Sequence, residues 1–236
     1  MKKIFFIAAT VLGIANLSAQ EETITVVEYG KPNPNSKTLA PQFGLKSAVN
    51  MSSYNGKDIS KTDYAVGFTA GVYANFPVTQ SFSIQPEVNF ASLVGKAEKD
   101  QYVYNLDGST LSKNKNFTTL DYIQVPVMFK YYVAGSRFNI EAGPQVGFLV
   151  YGSNKNVQST FANGTVTNNT ERMNIKNRVE NFDFGVNYGV GYNLTDHINL
   201  NARYYMGLTK TFKADEGEKQ LNIKNNSFSF GVGYSF

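Results

Sequence analysis

Five charged residues stand singly in segments whose other residues are apolar, small or uncharged, and they are the first candidates for chemistry. Two are carboxylates and three are cations: Lys46, Glu87, Lys130, Glu141 and Arg203. A charge that is withdrawn from water needs a partner of opposite sign, because an isolated buried charge is strongly unfavourable. The set predicts an internal ion-pair network. Its role is either to fill and stabilise the interior or to form a path for a proton or an ion.

The elements that carry these charges show a period of two in their apolar residues, which predicts β-strands. One face of each segment is apolar and the other is polar or glycine. Eight such segments follow one another, at residues 43–51, 64–76, 82–90, 123–131, 138–148, 182–192, 198–208 and 228–236. Glu87, Lys130 and Glu141 fall on the polar faces of three consecutive segments, which predicts that Lys130 reaches a carboxylate on either side.

The connections alternate in length, with short turns at 77–81, 134–137 and 193–197 and long polar segments at 52–63, 96–116, 152–181 and 212–224. This alternation is typical of bacterial outer-membrane barrels. The sequence predicts an all-β fold, an eight-stranded antiparallel transmembrane β-barrel. A soluble lipocalin-like barrel is the alternative, although its interior would need bulky apolar filling. Side chains predicted to face lipid are Phe82, Val125, Val127, Phe129, Val186 and Leu200.

Two groups of residues fit this pattern less simply. Pro86, Pro126 and Pro144 lie inside predicted strands, where proline removes a ladder donor, so we expect bulges or bends there. Tyr54 and Phe117 lie in or beside long connections, where an outer aromatic girdle is expected.

The two ends of the sequence carry signals of export. Residues 1–20 have two lysines, an apolar run and small residues, which predicts a secretory signal peptide, with a membrane-anchoring helix as the alternative. Residues 21–41 form a Pro/Asn-rich extended periplasmic lead, and residues 42–236 form the barrel. The last strand ends in aromatic residues, and Tyr234 and Phe236 resemble the signal that outer-membrane barrels present to the barrel assembly machinery.

Several function classes are disfavoured. Without Lys2 and Lys3 the net charge is +2, and the basic residues are scattered, so we expect no nucleic-acid partner. The absence of cysteine excludes disulfides and thiolate metal sites. A lipid-modifying barrel enzyme needs a nucleophile, a base and usually a histidine, and the single histidine, His197, falls in a short turn. Asp215, Glu216 and Glu218 form a loop charge cluster, solvated or at most weakly calcium-binding. We expect no catalytic residue, metal or cofactor.

The segment Tyr122-Ile123-Gln124-Val125-Pro126-Val127-Met128-Phe129-Lys130-Tyr131-Tyr132 resembles the central strand of the PorT-like outer-membrane barrel family of the Bacteroidetes. Gln85-Pro86-Glu87 and Ala142-Gly143-Pro144 are similar to the neighbouring strands of that family. The resemblance implies residence in the outer membrane of a Gram-negative bacterium.

For function, the resemblance allows an accessory role in protein secretion, with secretion-complex proteins as partners beside outer-membrane lipid and the assembly machinery. The leading hypothesis is a non-enzymatic structural or interaction protein acting through its long extracellular loops. A small pore and a lipid-modifying enzyme remain alternatives.

Overall fold

The computed structural model of the protein describes residues 40–57, 62–97, 101–104, 110–133, 136–162, 165–214 and 220–236. Its strands are β1 Gln42–Gly56, β2 Thr62–Pro77, β3 Phe82–Ala97, β4 Gln101–Tyr104, β5 Thr110–Tyr132, β6 Phe138–Ala162, β7 Thr165–Asn174, β8 Phe182–Asn193, β9 Ile198–Gly207 and β10 Ile223–Ser235, with one short 3-10 helix at Lys176–Arg178. The predicted signal peptide and all but the last two residues of the predicted lead lie outside the described residues. The described residues hold no helix long and apolar enough to cross a membrane.

Eight of these strands close into an antiparallel ring. The order around the ring is β1, β2, β3, β5, β6, β8, β9 and β10, and β10 pairs with β1 to complete it. The last described residues take part in this closure, since Phe236 N–H donates to Phe43 O at 2.9 Å. The predicted eight-stranded antiparallel barrel is confirmed, and each of the eight predicted segments contributes one strand of the ring.

The alternation in the sequence sets which side chains face outward. Along β5, Tyr122, Gln124 and Met128 are buried inside while Ile123 and Phe129 are exposed on the outer surface. The same alternation holds on the other strands of the ring, because successive side chains of a strand point to opposite faces. The outward positions of all six side chains predicted to face lipid are confirmed.

The three strand prolines interrupt hydrogen-bond pairing without shifting it. The β3–β5 register is the same on either side of the interruption, at Pro86 opposite Val127 and at Asn89 opposite Gln124. The β5–β6 register is likewise the same on either side of Pro126 and Pro144. The expectation of bulges at the prolines is therefore wrong, while the alternative of bends stays a prediction. Register shifts occur instead between Tyr64 and Phe68 on β2 and between Asp121 and Tyr122 on β5.

Much of the sequence expected to form long loops is strand. β5 and β6 are 23 and 25 residues long, whereas a strand crosses a membrane in about 9–11 residues. β4 pairs with the outer part of β5 and β7 pairs with the outer part of β6. Strands β4 and β7 with the outer parts of β5 and β6 make a four-stranded extension, which we call the arm. The three short turns lie at the opposite end of the barrel.

Candidate functional site

The five charged residues predicted to form a network meet inside the barrel. They come from five different strands, β1, β3, β5, β6 and β9, and each is at most 8% exposed: Lys46, Glu87, Lys130, Glu141 and Arg203. Each occupies a position at which strand alternation directs the side chain inward. The charges therefore span the interior from several sides.

Arg203 joins the two carboxylates. Its Nη1 and Nη2 donate to the two oxygens of Glu87 at 3.0 and 2.8 Å. Its Nε and Nη2 donate to the two oxygens of Glu141, the latter at 3.2 Å. A guanidinium is planar and has five N–H donors, so it can bind two carboxylates in this forked manner, which an ammonium group cannot do.

The two lysines bind one carboxylate each. Lys46 Nζ lies 2.8 Å from Glu87 Oε2, and Lys130 Nζ lies 3.5 Å from Glu141 Oε2. The expectation that Lys130 reaches both carboxylates is wrong, because Lys130 contacts Glu141 and not Glu87. Lys130 is directly opposite Glu141 on β6, but on β3 it is opposite Ser83. Glu87 is four residues farther along β3, roughly 13 Å away.

Glycine on a neighbouring strand makes room for Arg203. Gly189 on β8 lies directly opposite Arg203 on β9. A Cβ atom on Gly189 would lie 2.6 Å from Ala202 O, 2.9 Å from Arg203 Cγ and 3.2 Å from Glu141 Oε1. Any larger residue at position 189 would therefore push against the backbone of β9 and against the stem of Arg203.

A second polar group lies between this network and the arm end of the barrel. Asp183 is buried and accepts hydrogen bonds from the hydroxyls of Tyr205 and Thr209, each at 2.8 Å. Asn225 Nδ2 lies 3.3 Å from Tyr122 Oη and 3.4 Å from Asp183 Oδ2. Next to this polar group lies a cavity of about 30 Å³, and its wall includes Lys46, Arg203 and Tyr205. A volume of this size suits about one or two water molecules.

An apolar plug closes the arm end of the interior. It consists of buried side chains from five strands and from the segment between β7 and β8: Tyr54, Ala91, Leu93, Leu120, Tyr122, Leu149, Ile175, Val179 and Ile223. Phe212, from the β9–β10 connection, packs on Tyr54 with ring centroids 5.8 Å apart. The girdle position expected for Tyr54 is therefore wrong, since this side chain is 5% exposed and points inward.

The remaining candidate residues are dispersed. His197 is in the β8–β9 turn, where its Nδ1 lies 2.9 Å from Ser235 O and its ring stacks on Tyr234. Tyr234 also packs edge-on against Phe236, and both rings are exposed at the short-turn end. Asp215, Glu216 and Glu218 lie outside the described residues. Within the described ranges, no group of three or more histidine or acidic side chains is arranged to hold a metal ion.

The arm presents two edges and two faces to solvent. All ten residues of β7 are exposed. In the part of the chain that the structure describes, β7 pairs with β6 alone and β4 pairs with β5 alone, so each has one edge without a neighbouring strand. The sequence pattern predicts long extracellular loops in this region, so strands β4 and β7 are not predicted by it.

A family model described as outer membrane protein beta-barrel domain matches residues 19–213. The chain belongs to this family. Membership agrees with the ring of eight amphipathic strands and places the protein in the outer membrane. The apolar outer surface of this outer-membrane barrel is thus its lipid-facing surface, and the arm and the short turns lie on opposite sides of the membrane. No curated protein sequence matches the chain.

Solved outer-membrane barrels are similar to this one at low sequence identity. Neisserial surface protein A is 16% identical over 82% of this chain and 97% of its own, with a TM-score of 0.43. Ail of Yersinia pestis, in complex with the heparin analogue sucrose octasulfate, is 11% identical over 83% and 99%, with a TM-score of 0.42. The outer membrane protease OmpT of Escherichia coli is 8% identical over 83% and 96%, with a TM-score of 0.35.

Proposed function

We propose that this outer-membrane barrel is a non-enzymatic interaction protein whose binding element is the arm. The observation that carries the proposal is β7, which is exposed over its whole length and has an unpaired edge within the described part of the chain. Backbone N–H and C=O groups along such an edge are a template onto which an extended segment of a partner can add as a further strand.

The barrel is suited to hold this edge in a fixed position. β5 and β6 are each one strand from the membrane into the arm, and they pair with each other from Tyr132 opposite Asn139 to Thr110 opposite Ala162, with one gap beside Pro126 and one register shift at Tyr122. The ion network and the apolar plug fill the interior below it. Binding elements commonly lie on segments that a rigid scaffold positions. The filled interior also favours an interaction role over a pore, because eight strands leave room for little more than their own side chains.

A cropped variant tests the role of the arm. Asn156 and Glu171 are directly opposite each other on β6 and β7, so an Asn-Gly turn in place of residues 157–170 joins them with little change in the barrel. A photo-crosslinking amino acid at Asn169 of the full chain, in native outer membranes, should give an adduct with a partner protein. The same group at Lys213, which is exposed on the same side of the membrane, is the control.

The cropped chain should fold, shown by heat-modifiable migration on gels, and should not co-purify with the protein crosslinked at Asn169. Identical adducts at Asn169 and Lys213 would contradict the proposal. Equal recovery of the partner by the cropped and full chains would contradict it as well.

An accessory role in protein secretion is the second candidate. It is supported by the likeness of residues 122–132 to the PorT-like family of the Bacteroidetes, and it would give the arm a secretion-complex protein as its partner. Deleting the gene and measuring the secreted proteins tests this role. Unchanged secretion would exclude it and would leave the interaction role of the arm intact.

A further inference from the structure

The outward face of the arm carries a second feature, distinct from its edges. The alternation that directs Ile123 and Phe129 of β5 to lipid continues past the apolar surface to Phe117 and Lys115. On β6 it continues, after the bulge, from Tyr151 to Lys155. Arg172 of β7 is opposite Lys155 and so lies on the same face. We call Lys115, Lys155 and Arg172 the basic face.

These three cations are close neighbours. Phe117, Lys155 and Arg172 form one row across β5, β6 and β7, and Lys115 is two residues farther out than Phe117. Adjacent strands are about 4.8 Å apart, and like charges directly opposite each other destabilise a sheet. No carboxylate among the described residues lies within 4.0 Å of these three cationic groups. The three cations thus form no ion pair within the described part of the chain.

The height of the basic face above the membrane follows from strand geometry. Lys155 is four residues beyond Tyr151, which ends the continuous outward apolar series of β6. Four residues of a strand span roughly 13 Å, which a tilt of about 40° reduces to roughly 10 Å of height. The headgroup layer extends about 5–8 Å beyond the hydrocarbon. Lysine and arginine have long apolar stems, so their charged ends can lie closer to the membrane than their backbone does.

We propose that the basic face binds the phosphate groups of anionic lipid headgroups in the outer leaflet. The face looks toward the lipid side, its charge is complementary to phosphate, and phosphate oxygens accept hydrogen bonds from both lysine and arginine. Phe117, directly opposite Lys155 on the same face, adds an apolar ring at the level of the headgroups. The binding anchors the root of the arm to the membrane surface.

The test uses the full chain, folded in nanodiscs of mixed phosphatidylcholine and phosphatidylglycerol, with native mass spectrometry of the lipids that stay bound. The wild-type chain should retain phosphatidylglycerol in preference. In the variant K115Q/K155Q/R172Q, the ratio of bound phosphatidylglycerol to bound phosphatidylcholine should fall by a factor of roughly five for each charge removed. A matched variant, K57Q/K176Q/K213Q, removes the same charge from exposed residues on the arm side of the membrane and should keep the preference.

Three results would overturn the proposal. One is equal retention of the two lipids by the wild-type chain, and another is an equal loss of preference in the two triple variants. The third concerns the source of the phosphate: inorganic pyrophosphate added to nanodiscs of mixed lipid should displace the phosphatidylglycerol only weakly. If pyrophosphate binds to the wild-type chain in pure phosphatidylcholine discs as tightly as phosphatidylglycerol binds in mixed discs, the basic face is a site for soluble anions. Heat-modifiable migration verifies that both triple variants are folded.

Discussion

Glu87 is the charged residue whose neutralisation should harm the barrel most. Its carboxylate accepts hydrogen bonds from Lys46 and from two nitrogens of Arg203. It also accepts from Gln85 at 2.7 Å and Asn89 at 3.0 Å. Glu87→Gln keeps the shape of the side chain and removes its charge. The change leaves Lys46 without its acidic partner and leaves Arg203 with Glu141 as its remaining carboxylate.

The expected magnitude follows from the charges in the network. Three cations and two carboxylates give it a net charge of +1, which Glu87→Gln raises to +2 in a buried site. Breaking a buried ion pair by removing one partner costs about 3–5 kcal/mol. Adding Lys46→Met returns the net charge to +1 and removes the stranded ammonium group. We therefore expect the double variant to be more stable than Glu87→Gln by about 1–3 kcal/mol.

Urea titration of the barrel in phosphatidylcholine vesicles, followed by the heat-modifiable gel shift, measures these free energies. Lys96→Met is the control, since Lys96 and Asp63 form a partly exposed pair at 3.7 Å, and its loss should cost less than about 1 kcal/mol. A free energy of unfolding for Glu87→Gln within about 1 kcal/mol of the wild-type value would show that the buried charges are not coupled in this way. Further destabilisation on adding Lys46→Met would show the same.

Three further predictions concern the membrane and the ends of the barrel. Val127→Arg, on the lipid face, should lower the free energy of unfolding by about 2–4 kcal/mol. Val157→Arg on the arm should change it by less than about 0.5 kcal/mol, and equal losses in the same urea titration would show that the outward register is wrong. In planar bilayers the protein should give no stable large currents, because charged and apolar side chains fill the interior; steady conductance would contradict the sealed interior. Phe236→Ala should slow the appearance of the folded form in pulse-labelled cells without changing stability in vesicles, and an unchanged rate would exclude an assembly role for this residue.

The strands of the ring could be predicted because lipid constrains every outward position. From Ile123 to Tyr131, each alternate residue of β5 must be apolar to face hydrocarbon, which leaves an unambiguous period of two. The same constraint assigns Glu87, Lys130 and Glu141 to the interior. Inside the membrane, then, the sequence alone determines which residues are available to pair.

The pairing itself could not be read from the sequence. It depends on the stagger between strands, which places Lys130 opposite Ser83 rather than Glu87, and a period of two carries no information on stagger. The central position of Arg203 also depends on Gly189, which leaves space on a strand distant in sequence from Glu87.

The arm and the plug escaped prediction for a different reason. Outside the membrane neither face of a strand has to be apolar, so residues 153–174 read as a polar loop. The sequence of β5 nevertheless held a signal, since Lys113, Lys115 and Phe117 alternate with serine and asparagine up to the predicted strand. Ile175 and Val179 enter the plug from a segment with no periodicity, so only the folded structure shows their burial.

Accessibility of single cysteines on living cells tests most directly that the arm lies outside an outer-membrane barrel. The chain contains no cysteine, so each introduced thiol is unique. Thr170→Cys on β7 should react with a membrane-impermeant maleimide on intact cells. Asp196→Cys, in the exposed turn between β8 and β9, should react only after the outer membrane is permeabilised. Labelling of Asp196→Cys but not Thr170→Cys on intact cells would contradict the account.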